Sequence, residues 1–340
     1  MQKQQWNGRR RRRTQFRRFR WDRLAIIVAL LAGLVFGVVK LVSYGIDLVS
    51  ARNASQRLQA VYHADSTEEV SPEVTPAQPA ETPPLTDVPA QAVTPVPTVT
   101  AVPAVTAEPA VTMAPTISPI PRLSDVPYPN NASLKIASRF QGLRKQNKDI
   151  VGWLTIDNLL DEPVVRRNNI FYLNHDVDGR ENVNGALFLD SAVTLKTRPY
   201  ALIIYGHNMK SGAMFGCLRN FANISFYHRS PFITFDSMYE NGRYVVFAES
   251  TISMVEESRN YLDFFSLLSS DLRERQNAID TLAGTSSFTC KVDVKPDDQL
   301  LLLVTCVGND DERRIVAARR IRDGESEKDL KKQVARSVSR

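Results

Sequence analysis

An almost unbroken hydrophobic run occupies residues 24–46, where the only charged residue is Lys40. About 20 apolar residues in a helix span the hydrocarbon core of a bilayer, and a lysine near one end of such a helix can extend its amine to the interface. The run therefore predicts a transmembrane segment at residues 24–46. Residues 47–65 follow as a juxtamembrane segment, in which a short helix is expected at about 52–64.

The hydrophobic pattern disappears over residues 66–132. Most of this stretch, residues 66–121, contains 13 of the 19 prolines of the chain, with no glycine and no aromatic residue. Such a composition buries too little apolar surface to offset the entropy lost on ordering, and its prolines favour extended polyproline II. We expect a disordered Pro/Thr-rich linker. It acts either as a stalk that holds a domain away from the bilayer or as a spacer without a length requirement.

From residue 133 the pattern changes to short apolar runs separated by turn residues. The runs are rich in β-branched and aromatic residues, and many short strands at this spacing indicate a β-sandwich or a barrel. Residues 133–325 are long enough for one well-buried domain of mainly β structure. The predicted strands are Val151–Ile156, Pro163–Val165, Ala186–Leu189, Ala201–Tyr205, Phe232–Phe235, Tyr244–Ala248, Phe288–Val294, Leu300–Thr305 and Ile315–Ile321.

Apolar residues at helical spacing occur in two places in this domain. The first predicts a short amphipathic helix from about Leu134 to Asn147, and the second a longer helix from about Tyr261 to Leu282. The basic residues 326–340 are expected to form a solvated C-terminal tail.

The net charge of +6 is concentrated at the N-terminus. Residues 1–23 carry +9, from Lys3 and nine arginines against Asp22, and the rest of the chain carries −3. A basic tail can indicate nucleic-acid binding, but this one directly precedes the hydrophobic run. The positive-inside rule then predicts that residues 1–23 are cytoplasmic and that the chain after residue 46 is extracellular. The arginines should lie against the anionic inner leaflet, so a nucleic-acid partner is not expected.

A cleaved signal peptide is the alternative for residues 24–46. Val49-Ser50-Ala51 would then supply the cleavage site. The apolar region of a signal peptide usually has only about 7–15 residues, fewer than this run contains. We therefore favour an uncleaved signal anchor, which makes the protein a single-pass protein of the cell membrane.

The domain contains three cysteines: Cys217, Cys290 and Cys306. Outside the cytoplasm, an odd number leaves at least one thiol free, and a Cys217–Cys290 disulfide remains open. The cysteines and histidines show no zinc-ligand spacing. Neither a metal nor a cofactor is expected.

His207 and Cys306 each follow an apolar, strand-like run. Cys306 comes directly after Leu300–Thr305 and is followed by a polar loop, while His207 comes after Ala201–Tyr205 and a glycine. A free cysteine is only slightly ionised at neutral pH, and a nearby imidazole and cation would help to supply the thiolate. The histidine could later protonate a leaving amine.

An arginine near this thiol would stabilise a developing oxyanion. Arg313 and Arg314 both precede the last predicted strand. Side chains alternate across a strand, so only one of the two can face the thiol.

At these residues the chain resembles the class B sortases, over nearly all of residues 134–321. The similarity covers several segments in a fixed order, with a helical insert before the cysteine strand. The segments are Asn147–Trp153, Tyr172–Asp176, Ala186–Asp190, Tyr205–Lys210, Met214–Gly216, Thr305-Cys306 and Arg314–Val316. The resemblance implies an eight-stranded β-barrel with an N-terminal helix, and a membrane-anchored cysteine transpeptidase of a Gram-positive-type cell envelope.

The resemblance also implies roles for individual residues. Cys306 corresponds to the nucleophile that attacks the threonine carbonyl of a C-terminal sorting motif, His207 to the general acid/base, and Arg314 to the catalytic arginine. Asn169 and Leu173 match a pair that touches the sorting peptide. The partners would be secreted proteins that bear the motif, and an amine acceptor from a peptidoglycan precursor or a pilin lysine.

Three alternatives remain open at this point. A pilin-polymerising sortase would use the same residues with a different acceptor. A hydrolytic cysteine protease would pass the thioester to water. A wall-spanning binding module would carry the site without using it.

Overall fold

A computed structural model describes residues 21–68, 128–307 and 309–340. The described strands are β1 Ile150–Ile156, β2 Leu160–Val165, β3 Leu187–Leu189, β4 Ala201–Tyr205, β5 Phe232–Ser237, β6 Arg243–Ser253, β7 Phe288–Thr289, β8 Leu300–Val307, β9 Asn309–Arg320 and β10 Val338–Ser339. Eight of them close a barrel in the order β1-β2-β3-β4-β8-β9-β6-β5, and β7 and β10 form a separate pair. The predicted mainly β, eight-stranded barrel is confirmed.

Strand β8 carries the predicted nucleophile, Cys306, near its C-terminal end. It pairs in parallel with β4 and antiparallel with β9. Residues 300–304 of β8 are fully buried, and outside the sheet the strand contacts the 3₁₀ helix Phe215–Ala222. A strand covered on both faces is apolar at every position, which explains the continuous Leu-Leu-Leu-Leu-Val run.

The helices are α1 Trp21–Glu68, α2 Ser138–Gln146, α3 Ile224–Arg229, α4 Leu272–Thr285 and α5 Glu327–Val334. The single helix expected at about 261–282 is divided into a 3₁₀ turn, Phe264–Leu268, and α4. Polar side chains explain the division, because Asp263 caps the turn and Asp271 caps α4 by accepting from the Arg273 amide.

Helix α1 continues without a break through both the predicted transmembrane and the juxtamembrane segments. It is long and apolar enough to cross a membrane, and its side chains from Ala25 to Ile46 are exposed. Beyond this run, Ala51, Ala54, Leu58 and Tyr62 are buried against the domain. Their spacing of three and four residues places them on one face of the helix. The juxtamembrane half of α1 is therefore docked on the domain.

Two predicted segments lie largely or entirely outside the described residues. These are the cytoplasmic tail, residues 1–23, and the Pro/Thr-rich linker, residues 66–132, of which 69–127 are not described. The described chain resumes at Tyr128, whose ring is buried and lies 5.7 Å from that of Tyr239.

The C-terminal residues 326–340 are not the solvated tail that was expected. They form α5 and β10, and β10 pairs with β7. Leu330 and Val334 are buried, one helical turn apart, and Ser326 caps the helix by accepting from the Asp329 amide. The many charges occupy the other faces of α5, so two apolar residues are enough to dock it.

Candidate active site

The predicted nucleophile, Cys306, lies where strand β8 leaves the core. Thr305 is buried and Cys306 is exposed. The pairing of β8 with β9 becomes irregular between Cys306 and Val307. The thiol is therefore at the barrel edge and accessible from solvent.

The end of β4 brings His207 beside this thiol. Tyr205 is the register partner of Val304, the Gly206 amide donates to the Val304 carbonyl at 3.3 Å, and the Asn208 side-chain amide donates to the Cys306 carbonyl at 2.9 Å. His207 lies between these two bonds. Continuing the parallel register by two residues makes His207 the neighbour of Cys306 on the same face.

Hydrogen bonding assigns the tautomer of His207. Its Nε2 lies 2.6 Å from the Leu173 carbonyl oxygen, which can only accept, so Nε2 carries a proton. In the neutral ring Nδ1 then has the free lone pair, and this is the atom that can take a proton from the thiol. Gly185 makes the arrangement possible: its φ is +59°, and a Cβ there would lie 2.5 Å from the Tyr172 carbonyl oxygen and 3.2 Å from the His207 ring.

The two candidate arginines have different environments. In the β8–β9 register Arg313 is opposite Cys306, whereas Arg314 is opposite Thr305. Directly opposed residues of an antiparallel pair lie on the same face. The guanidinium of Arg314 pairs with the buried Glu249 carboxylate at 2.8 Å. The resemblance named Arg314, but the strand pairing favours Arg313 as the arginine that faces the thiol.

Of the predicted substrate-binding pair, Asn169 and Leu173, only Leu173 contacts His207. Leu173 presents its carbonyl to the histidine, and its side chain is exposed. Asn169 donates to the Asp190 carboxylate at 3.1 Å and accepts from the Ser191 amide at 2.9 Å. These two hydrogen bonds hold the loop of Asn169 against the residues that follow β3.

Three residues that support the site, Asp190, Tyr205 and Asn208, were not identified as such from the sequence. Asp190 accepts at 2.8 Å from the Tyr205 hydroxyl, and Asn208 bonds to the cysteine strand. Burial, with a further contribution from the Asp190 charge, raises the pKa of Tyr205 well above its usual value. Their positions were the available signal: Asp190 directly follows the predicted strand Ala186–Leu189, and Tyr205 and Asn208 lie within two residues of His207.

The other two cysteines are free in the structure, and the disulfide left open above is not formed. The Cys217 thiol donates to the Met214 carbonyl at 3.2 Å, and burial raises its pKa to about 11. Cys290 lies 3.3 Å from the Tyr227 hydroxyl. Within the described residues, no group of three or more His, Cys, Asp or Glu side chains could hold a metal ion.

A cleft of about 980 Å³ lies between α1 and the β1–β2 hairpin. Its lining includes Arg52 and His63 from the helix, Glu162 from the hairpin, and Met214 from the loop after His207. Ser55 of α1 donates to the Glu162 carboxylate at 2.5 Å. Burial raises the pKa of Glu162 from 4.5 to about 7, and the Ser55 hydroxyl limits the rise.

Glu162 should make the stability of the protein depend on pH. Between about pH 4.5 and 7 the folded state binds more protons than the unfolded state, so the free energy of unfolding falls as pH rises through this window. The loss can reach about 3 kcal/mol. We expect Glu162→Gln to flatten this slope in urea unfolding measured from pH 4.5 to 7.5, while the exposed Glu256→Gln keeps it. An unchanged slope in Glu162→Gln would contradict the assignment.

Comparison with known proteins identifies similar sequences and structures. No protein-family model matches the chain. Sortase B of Listeria monocytogenes is 29% identical over 178 residues, covering 52% of this chain and 70% of the relative. Sortase B of Staphylococcus aureus is 30% identical over 175 residues, covering 50% and 68%. A solved structure of a Staphylococcus aureus sortase B–substrate complex aligns with a TM-score of 0.50 and 26% identity, over 56% of this chain and 88% of that one.

Proposed function

Because this chain belongs to the class B sortase family of cysteine transpeptidases, we propose that it cleaves a C-terminal sorting motif after threonine and joins the cleaved protein to an amine. The observation that supports the proposal is the strand pairing: Cys306 is opposite Arg313 in the β8–β9 register, and the β4–β8 register runs to two residues before His207.

The first half of the reaction forms a thioester. Nδ1 of His207 takes the thiol proton of Cys306, and the sulfur attacks the threonine carbonyl carbon. The tetrahedral intermediate collapses by breaking the C–N bond, and His207 returns the proton to the departing amine. The acyl group is left on Cys306.

The second half transfers the acyl group. The acceptor amine attacks the thioester carbonyl, His207 removes its proton, and the C–S bond breaks. The proton returns to the sulfur, so the enzyme is regenerated and one peptide bond has replaced another. The balance requires no metal or cofactor.

Arg313 is proposed to stabilise the oxyanion of both tetrahedral intermediates. Its register position opposite Cys306 supports this role, and a guanidinium supplies a permanent positive charge and N–H donors for the oxyanion. Arg314 is proposed to hold the strand end through its ion pair with Glu249. Asn169 and Leu173 would line the path of the sorting peptide.

The proposed location is the cell membrane. The apolar part of α1 would span the bilayer, residues 1–23 would lie in the cytoplasm, and the barrel would be extracellular. Substrates would be secreted proteins with the sorting motif. The acceptor would be an amine of a cell-wall precursor, or a pilin lysine if the enzyme polymerises pili.

The test is a transfer assay with the detergent-solubilised full chain. A panel of peptides, each with threonine at the cleavage position, is incubated with and without triglycine, and products are identified by mass spectrometry. We expect a new peptide joined to triglycine after threonine. Cleavage that yields only free acid, at a rate unaffected by triglycine, would indicate a hydrolytic protease and overturn the transpeptidase proposal.

A further inference from the structure

The contacts between α1 and the domain show which side of the domain lies nearest to the end of the apolar segment. The Asn182 side chain donates to the Asp47 carbonyl at 2.8 Å and to the Ser50 hydroxyl at 3.0 Å. Farther along, Tyr62 stacks on Trp153 with ring centroids 4.4 Å apart. At 1.5 Å per residue, the Asn182 contact lies within about 6 Å of residue 46, and the Tyr62 contact about 24 Å from it. Asn182 therefore marks the side of the domain nearest to the apolar segment.

The candidate active site belongs to that same side. The Asn182 amide donates to the Asn174 carbonyl at 2.9 Å, and the Ala186 amide donates to the Tyr172 carbonyl at 3.0 Å, so residues 172–174 run beside residues 182–186. Leu173, in the middle of the first segment, is bonded to His207. Only this pair of segments separates the histidine from the helix contact at Asn182.

Exposed apolar side chains lie on this pair of segments and on the residues just before the first of them. Ile170 is 74% exposed, Val183 53% and Leu173 42%. Single exposed apolar residues are ordinary, but three on one loop pair, next to an apolar helix, form a patch that calls for a partner. The exposed Arg167 adds a positive charge, and its guanidinium lies 4.1 Å from the centre of the Phe171 ring. We call Arg167, Ile170, Leu173 and Val183 the proximal surface.

We propose that the proximal surface rests on the phospholipid headgroups of the membrane that α1 enters, so that the thiol of Cys306 opens close to the bilayer. The inference rests on the proposed membrane anchoring. A lipid surface is the partner that fits, because Val183 follows Asn182, the residue that bonds to α1 just beyond its apolar run. Apolar side chains enter the boundary between headgroups and acyl chains, and arginine pairs with phosphate.

This position changes the role of the linker. The docked half of α1 sets the height of the domain above the bilayer, and the Pro/Thr-rich residues 66–132 leave from that helix and return to the same domain. Of the two roles that the composition left open for these residues, the proposal therefore favours the spacer over the stalk.

The experiment measures lipid contact in the full chain. Val183→Trp and the control Val338→Trp are reconstituted in vesicles of phosphatidylcholine and phosphatidylglycerol, with and without bromine on the upper acyl chain. Val338 is also exposed but lies in β10, on the strand pair with β7. Emission of the unsubstituted chain is subtracted. We expect bromine to reduce the Val183→Trp emission at least about two-fold, since interfacial side chains reach roughly 5–10 Å into the membrane, and to leave Val338→Trp nearly unchanged.

Flotation after an alkaline wash separates the two proposals. If the unsubstituted chain fails to float with the vesicles, the membrane anchoring fails. If it floats but bromine quenches Val183→Trp no more than Val338→Trp, the anchoring stands and the proximal surface is overturned. If Val183→Trp unfolds at a lower temperature than the unsubstituted chain, Ile170→Trp is measured in its place and judged by the same comparison.

Discussion

Replacing Cys306 by alanine is expected to abolish transfer, with kcat/KM for the threonine peptide reduced by at least about 10⁴-fold. The side chain supplies the only bond between enzyme and acyl group in the proposed mechanism, so no other residue can replace it. Because Cys306 is exposed at the strand edge, its removal should leave no core cavity and no change in unfolding temperature. Rates from the transfer assay and a thermal melt check both parts.

The other two cysteines provide matched controls. Cys217→Ala and Cys290→Ala should retain transfer, with some loss of stability because Cys217 is buried and Cys290 packs on Tyr227. Intact-mass spectrometry should detect an acyl adduct in both variants and none in Cys306→Ala. An adduct that survives in Cys306→Ala would assign the nucleophile to another residue.

Arg313→Ala is expected to lose activity, and Arg314→Ala is expected to lose stability. Arg313 lies opposite the thiol in the strand register, so its loss should reduce kcat/KM by about 10²–10³-fold and leave the unfolding temperature unchanged. Arg313→Lys should recover only part of the rate, because an ammonium lacks the planar fork of the guanidinium.

Arg314→Ala should instead reduce stability. It leaves the Glu249 carboxylate buried without its cation, since Arg314 Nε lies 2.8 Å from that carboxylate. The pair is partly exposed on the arginine side, so we expect a loss of roughly 2 kcal/mol, less than for a fully buried pair. Urea unfolding measures this loss, and the double variant Arg314→Ala, Glu249→Gln should recover part of it. If Arg314→Ala lost the greater share of kcat/KM at unchanged stability, the oxyanion role would belong to Arg314.

Much of the barrel could be predicted from local patterns. Each of the eight barrel strands overlaps a short apolar run identified in the sequence, because the strand positions that are buried in the core must be apolar. The ends of two such runs also identified His207 and Cys306. A polar residue that directly follows a buried strand is placed at the edge of the sheet.

Other features depend on which segments meet in space. The choice between Arg313 and Arg314 required the β8–β9 register, since a shift of one residue moves every side chain to the opposite face. The only buried apolar residues of α5 are Leu330 and Val334, too few to appear as a pattern among the surrounding charges.

The sequence by itself determined a hydrophobic helix, a proline-rich segment and a β-rich domain with a thiol and an imidazole at two strand ends. Composition and periodicity are enough for this, because burial and backbone preference act residue by residue. Only the tertiary structure decided that α1 docks along the domain from Asp47 to His63, and that the site therefore lies near the end of the apolar helix. Those contacts join residues about a hundred or more positions apart, and each depends on the shape of both surfaces.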